Sequence, residues 1–266
     1  MGAKIIGLIA AMPEEIRPLL RLAGKYTKEK IDGLDAYRFT YGKEMILLVN
    51  SGMGLENAAA ATKILINKAK PCLIVNFGFC GAVKPGPQVG DIMVAQRILL
   101  NGDTLFSPQS GIVEEEAKRL SRSLASSLNG KDFRVYGGAF ITAAGIKSKA
   151  EMVRLIPAWA PNPVLEMETA AVAKTAAEGG VPLMAVRGVS DDAGEEFGFS
   201  ISELTDNKLR IRFWKVFLTV ARKPWIIPQM LRLTKNSRKA GKNLALAIAT
   251  LLEDTDDLPL KRDRHD

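Results

Sequence analysis

The residues best placed to do chemistry in this chain are carboxylates in two short runs. Val164-Leu165-Glu166-Met167-Glu168-Thr169-Ala170-Ala171 and Val186-Arg187-Gly188-Val189-Ser190-Asp191 are each apolar, of strand character, and carry acids at the end. In open α/β sheets ligands sit outside the carboxyl ends of strands, so Glu166, Glu168 and Asp191 would place several carboxyl groups around one cleft. The alternative for Glu168 is that it opens the first turn of a following helix, where a negative charge suits the dipole. Recurrence of the arrangement on the next strand favours the cleft.

The elements that must position these acids follow from local pattern. Lys4 to Ala10 is a short apolar strand, and Pro13 with Glu14 and Glu15 marks a helix start at its exit. One glutamate faces the cleft, or both compensate the dipole at the surface. Leu34 to Thr40 and Glu44 to Asn50 read as a hairpin around Tyr41-Gly42-Lys43, followed by Ser51-Gly52-Met53-Gly54 and a helix from Glu56 to Lys68. That glycine pair lets backbone approach a ligand. It is no dinucleotide fingerprint, lacking the third glycine and the acid on the next strand. Cys72 to Gly78 is a buried strand running into a glycine-bearing turn, Phe79-Cys80-Gly81-Ala82. Strands at Ile92 to Leu100 and Phe133 to Ile141 flank a helix near Ile112 to Leu128. This order predicts an α/β fold with a mixed central sheet.

At 266 residues, without Ser/Gly-rich linkers or repeats, the chain reads as one domain. No apolar run has the length of a membrane span and no signal peptide is evident, so a cytoplasmic protein is expected. Cys72 and Cys80 form no Cys-x-x-Cys pair and read as buried thiols. The single histidine, His265, is next to last, which argues against a Ser-His-Asp triad and a histidine-based zinc site. No metal and no cofactor are expected; acid–base work falls to carboxylates, lysine or tyrosine. The net charge of +8 suggests nucleic acid until it is mapped. Between Asn207 and Lys242 stand eleven Lys or Arg and no acid; subtracting those eleven from +8 leaves the rest of the chain at −3. The basicity is local, and no nucleic-acid partner is expected.

Taken in order, Gly-Leu-Ile-Ala-Ala-Met-Pro-Glu-Glu, Ser-Gly-Met-Gly, Asn-Phe-Gly-Phe-Cys-Gly-Ala, Val-Gly-Asp, Ala-Phe-Ile, Glu-Met-Glu and Val-Ser-Asp resemble the purine nucleoside phosphorylase/nucleosidase superfamily, and within it the 5′-methylthioadenosine/S-adenosylhomocysteine nucleosidases. The resemblance spans roughly residues 4–205. It implies a three-layer α/β/α phosphorylase-like fold, a homo-oligomer, and cleavage of an adenine nucleoside with water or phosphate as co-substrate. It also implies roles. Asp191 would protonate the adenine leaving group, Glu15 orient the attacking water, Arg187 hold the acidic cluster, and Glu168 grip the ribose hydroxyls. Met12 and Met167 would line the ribose, Phe140 and Ile141 contact the base, and Phe79, Cys80, Gly81 and Ser190 complete the substrate site. Breaking an N-glycosidic bond makes the ribose cationic as the base departs, which calls for an acid at the base and carboxylates near the sugar. Two acids in one cleft must then hold different protonation states, burial favouring the proton on one and Arg187 the charge on another. Two positions depart from the family. Phe79 replaces a small hydroxyl residue, which would leave only backbone donors near the acid, and Glu14-Glu15 stand where phosphorylases carry phosphate-binding arginines, which favours water.

The resemblance divides the chain into a catalytic domain at 1–206, a basic amphipathic helical extension at 207–254 and a charged tail at 255–266. Leu209 to Ala221 alternates basic and bulky apolar residues, breaks at Lys223-Pro224-Trp225 and resumes from Pro228 to Leu252. Such a segment either packs its apolar face on the body or lies on an anionic membrane surface, in the second case placing the protein peripherally at the inner membrane through residues 207–242. Arg222 to Leu233 with Ser237-Arg238-Lys239-Ala240 resembles the C-terminal segment of hopanoid-associated nucleosidases, which implies adenosylhopane, a lipid-linked adenosine, as substrate.

Overall fold

The computed structural model describes residues 4–100, 103–104, 114–143, 156–193, 222–253 and 258. Its strands are β1 (Ile5–Ala10), β2 (Thr27–Ile31), β3 (Leu34–Tyr41), β4 (Glu44–Asn50), β5 (Leu73–Ala82), β6 (Ile92–Leu100), β7 (Asp103–Thr104), β8 (Val135–Thr142), β9 (Val164–Glu166) and β10 (Leu183–Asp191). The helices are α1 (Pro13–Ala23), α2 (Leu55–Ala69), α3 (Glu114–Ser127), α4 (Thr169–Glu178) and α5 (Ile227–Glu253). All strands join one mixed sheet in the order β10-β6-β8-β9-β5-β1-β4-β3-β2, with β7 on β6 and a further pairing of β10 with β5. Strands β5, β10, β6, β8 and β9 therefore close on one another, while β1, β4, β3 and β2 extend as an open wing. The expected α/β architecture with a mixed sheet is what forms.

Helices cover both faces. On one, Ile16, Leu19 and Leu20 of α1, Leu124 of α3 and Leu244, Ile248, Leu251 and Leu252 of α5 share a core with Ile6, Leu8, Val75 and Phe77. On the other, Ala58, Ala61 and Leu65 of α2 meet Ala170, Val172, Ala173 and Ala176 of α4 over Ile9, Leu47 and Ile74. Burial on both sides is why β1 and β5 read as unbroken apolar runs rather than alternating ones. The four buried aliphatics of α5 contribute about 1.5–3 kcal/mol each, so the C-terminal half of the basic extension is part of the core. Segment 209–221, His265 and the tail beyond Leu258 lie outside the described residues.

One local reading needs correction, and one strand had no sequence signal. The expected turn at Phe79 to Ala82 is strand, because β10 pairs with β5 in parallel as far as Asp191 opposite Gly81. Strand β2, with the sequence Thr-Lys-Glu-Lys-Ile, carries no hydrophobic pattern because it is a mostly exposed edge strand. Lys28 and Lys30 there both reach Asp35 on β3, at 3.4 and 3.1 Å.

Candidate functional site

β5 is the spine of the site. β10 occupies one of its edges along Ile74 to Gly81. On the other edge, β1 pairs only as far as Asn76 and β9 pairs, antiparallel, at Gly81 and Ala82. The exits of β1 and β9 thus approach each other along the same edge and leave a gap beside Phe77 to Cys80. Carboxylates fill it.

Glu15 enters from the β1 side, in the first turn of α1. Its Oε1 accepts from the Phe79 amide at 2.9 Å, and Oε2 accepts from the amides of Ala11 and Met12 at 2.9 and 2.8 Å. Oε1 would lie 2.6 Å from a Cβ at residue 78, so only glycine admits the carboxylate this close to the strand. Burial pushes its pKa up, against the pull of Arg187 and three amides. Glu14, the other candidate, is at the surface 3.9 Å from Arg17.

Glu166 and Glu168 enter from the β9 side. Glu166 is the anchor: Oε2 accepts from the amides of Glu168 and Thr169 at 2.9 and 2.7 Å, from the Thr169 hydroxyl at 2.6 Å and from Arg187 Nη2 at 2.9 Å. The Thr142 hydroxyl at the end of β8 donates to its Oε1. Burial opposes the Glu166 charge, but Arg187 and these donors hold its pKa below the ordinary value. Glu168 is the N-cap residue of α4 yet makes no side-chain cap bond. Its Oε1 instead accepts from the Gly54 amide at 2.9 Å, and Oε2 lies 4.0 Å from Arg187 Nη2. The dipole reading therefore fails for its side chain, which faces the cluster. Burial, then the nearby charges of Glu166 and Glu15, push its pKa to about 7.

Arg187, 1% exposed, binds the cluster together. Its Nη2 is 2.7 Å from Asn76 Oδ1 and 2.8 Å from Thr169 Oγ1 as well as 2.9 Å from Glu166, so two protons serve three acceptors. Nε is buried without an acceptor among the described residues. The Phe140 ring centre lies 5.9 Å from the guanidinium carbon. Asn76, Thr142 and Thr169 were not singled out from the sequence; the one signal was a lone Asn inside the apolar run Leu73 to Phe77.

Asp191 leaves the sheet beyond this cluster, half-buried, with Oδ2 where a Cβ at residue 81 would stand 2.5 Å away. The Ser190 hydroxyl is 2.9 Å from its Oδ1 and 3.3 Å from the Cys80 carbonyl. The expectation that only backbone donors remain near this acid is corrected: Ser190 supplies a hydroxyl. The exit is pinned by Val89-Gly90-Asp91, where the Gly90 amide donates to Val189 O and the Val189 amide to Asp91 O, both at 2.9 Å.

Of the other sequence-predicted residues, Met12 and Met167 are half-buried beside Glu15 and Glu168, at the ends of α1 and β9. The Phe79 ring does not enter the gap; its Cζ lies 3.4 Å from a Cβ placed at Gly241 of α5, so only its amide reaches the cluster. The Ile141 side chain packs apart with Val83, Leu99 and Ile156. Cys80 is buried and Cys72 half-buried, both without a disulfide.

The raised Glu168 pKa has a consequence for stability. Between about 4.5 and about 7 the folded chain holds a proton that the unfolded chain has lost, so this carboxyl stabilises fully below the unfolded value, and its contribution is lost as pH rises through 7. The shift corresponds to roughly 3 kcal/mol. Urea unfolding at pH 5 and pH 8 should therefore show wild type losing stability relative to Glu168→Gln on going to pH 8; equal losses in both proteins would remove the assignment.

A 5′-methylthioadenosine/S-adenosylhomocysteine nucleosidase of Exiguobacterium is 29% identical over 211 residues, 76% of this chain and 91% of the relative. One of Staphylococcus aureus is 28% identical over 201 residues, 72% and 88% of the two chains. In fold, the chain is similar to the S-adenosylhomocysteine nucleosidase of Streptococcus pyogenes, with TM-score 0.69, 22% identity and coverage of 96% and 98%. It is equally similar to the futalosine hydrolase of Helicobacter pylori, with TM-score 0.69, 20% identity and coverage of 96% and 99%. The family model described as the Phosphorylase superfamily matches residues 5–222, spanning every carboxylate of the cluster, and the chain belongs to that superfamily.

Proposed function

We propose that this protein hydrolyses the N-glycosidic bond of a 5′-substituted adenosine and releases adenine. The observation that carries the proposal is the convergence of Glu15, Glu166 and Glu168 on Arg187 in the gap beside β5, with Asp191 at the adjacent strand exit. In the proposed reaction Asp191 donates a proton to the departing base while Glu168 stabilises the cationic ribose from its hydroxyl side. Glu15 is fixed by three amides, orients water on the opposite side of the sugar and accepts the proton that water loses as it bonds to the anomeric carbon. Arg187 keeps Glu166 charged, so that the pair acts as a rigid footing for Glu168. Met12 and Met167 line the sugar, Phe140 of β8 flanks the base, and Ile141 contacts the base through its backbone. Water is favoured over phosphate because the β1 exit presents Glu15 to the site, and a phosphate dianion beside a carboxylate would be repelled.

The 5′ group is proposed to be large and apolar, as in adenosylhopane, on the strength of the Arg222 to Ala240 sequence resemblance. The test is to incubate the protein with adenosine, methylthioadenosine, S-adenosylhomocysteine and a lipid-linked adenosine, with and without phosphate, and to measure free adenine. Adenine release without phosphate, fastest from the lipid-linked nucleoside, is expected. Strict phosphate dependence would replace hydrolysis by phosphorolysis, and no adenine from any substrate would remove the catalytic reading. Preference for methylthioadenosine would remove only the lipid.

A further inference from the structure

We infer that the first half of α5, with the 3₁₀ turn Pro224–Ile226 before it, is a docking surface for an anionic lipid bilayer. The helix has two different halves. From Ala240 onward its Ala, Leu and Ile residues are buried in the body, Leu246 only partly, whereas before that it is mostly exposed. Trp225 is 66% exposed, Ile227 42% and Leu231 67%, side chains that a body-packed helix would have turned inward. Ile227 and Leu231 are four residues apart, and Lys235, Arg238 and Lys242 continue along the same face at helical spacing, all exposed. Leu244, Ile248 and Leu251 lie on the opposite face, in the core, with Ala240 buried beside them, and hold the helix down. The exposed stripe is thus apolar at its start and basic along its length.

The charge pattern selects the occupant. Residues 222–242 carry seven Lys or Arg and no acid. A second copy pairing through this face would set one such surface against another, and like charges across an interface are unfavourable. A nucleic acid would satisfy the cations but offers nothing comparable to a lipid interior for Ile227 and Leu231, and successive bases need a series of aromatic platforms where the turn has one. A bilayer with anionic headgroups takes both: the aromatic and aliphatic side chains enter the headgroup boundary to about 5–10 Å, and the cations stay at its surface. No described helix is long and apolar enough to cross a membrane, so the contact is peripheral. The test of this surface does not depend on which substrate is cleaved.

The experiment is flotation of the full chain with vesicles of phosphatidylcholine alone, or mixed with phosphatidylglycerol, at low and high salt. Binding to the mixed vesicles is expected, weakened by salt, since exposed charges are screened over about 8 Å at physiological ionic strength. Lys235→Glu and Arg238→Glu should each reduce affinity at least fivefold, roughly the effect of removing one interfacial cation. Leu231→Glu should also lower it, while all three exposed-site variants keep the wild-type melting temperature. Equal binding to both vesicle types, or wild-type binding by Leu231→Glu, overturns the inference. So does an absence of vesicle binding combined with dimer loss on Leu231→Glu, or with retention of single-stranded DNA.

Discussion

Replacing Asp191 by asparagine is expected to leave the fold intact and to lower kcat by about 10²- to 10⁴-fold, the usual contribution of a general acid. The substitution is close to isosteric, so the tight approach of this side chain to Gly81 is preserved. The Ser190 hydroxyl can still donate to the side-chain oxygen, as it does now at 2.9 Å. What disappears is the transferable proton. Adenine leaves poorly as an anion, and an amide cannot neutralise it. The loss should therefore shrink for a nucleoside whose leaving group departs readily without protonation, and that comparison separates a proton donor from a residue that only positions the base. Steady-state rates on methylthioadenosine and on such an activated nucleoside, with melting temperatures, decide it. Near wild-type turnover would take Asp191 out of the chemistry, and an equal loss on both substrates would make it a positioning residue.

The carboxylates were legible because strand exits have a sequence signature: apolar runs that stop at acids. Their partners were less so. Arg187 pairs its charge with Glu166 and also hydrogen-bonds Asn76 and Thr169, which are 111 and 18 residues away, and nothing in local spacing announces those two partners. The gap that gathers the acids depends on β1 stopping beside Asn76 while β5 continues, a register that only the paired strands display. Periodicity also hid the strand at Phe79 to Ala82, since Gly78 just before it and Gly81 within it resemble a turn and serve instead to admit Glu15 and Asp191. Phe79 looked like a lost hydroxyl; the bare backbone of Gly241 in α5 explains where its ring goes. The two faces of the C-terminal helix were each visible as a pattern, but which half would be covered depended on the sheet beneath it. Local composition carries the chemistry, and long-range register carries its geometry.

Replacing Glu168 by glutamine should separate activity from stability in opposite directions. Its carboxylate is nearly buried and sits among Glu166, Glu15 and Arg187, with two like charges helping to raise its pKa to about 7. In glutamine the side-chain oxygen can keep the Gly54 amide bond, now 2.9 Å, while the buried negative charge is gone. The folded state at pH 8 should consequently be as stable as wild type or more so. Catalysis should suffer, because attraction between this group and the sugar grows only as the ribose becomes cationic, and neutral oxygen cannot supply it. A fall in kcat of about 10²- to 10³-fold is expected from the loss of one preorganised electrostatic contact, with KM close to wild type because the hydroxyl contacts remain. In wild type the same titration of the free enzyme should appear as an acid limb in kcat/KM near pH 7, absent from the residual activity of the variant. Stopped assays across pH 5 to 9 on both proteins, with urea unfolding alongside, read all three quantities. A rise in KM at unchanged kcat would reduce Glu168 to uniform substrate binding, and a less stable variant with wild-type kcat would make the buried charge structural rather than catalytic.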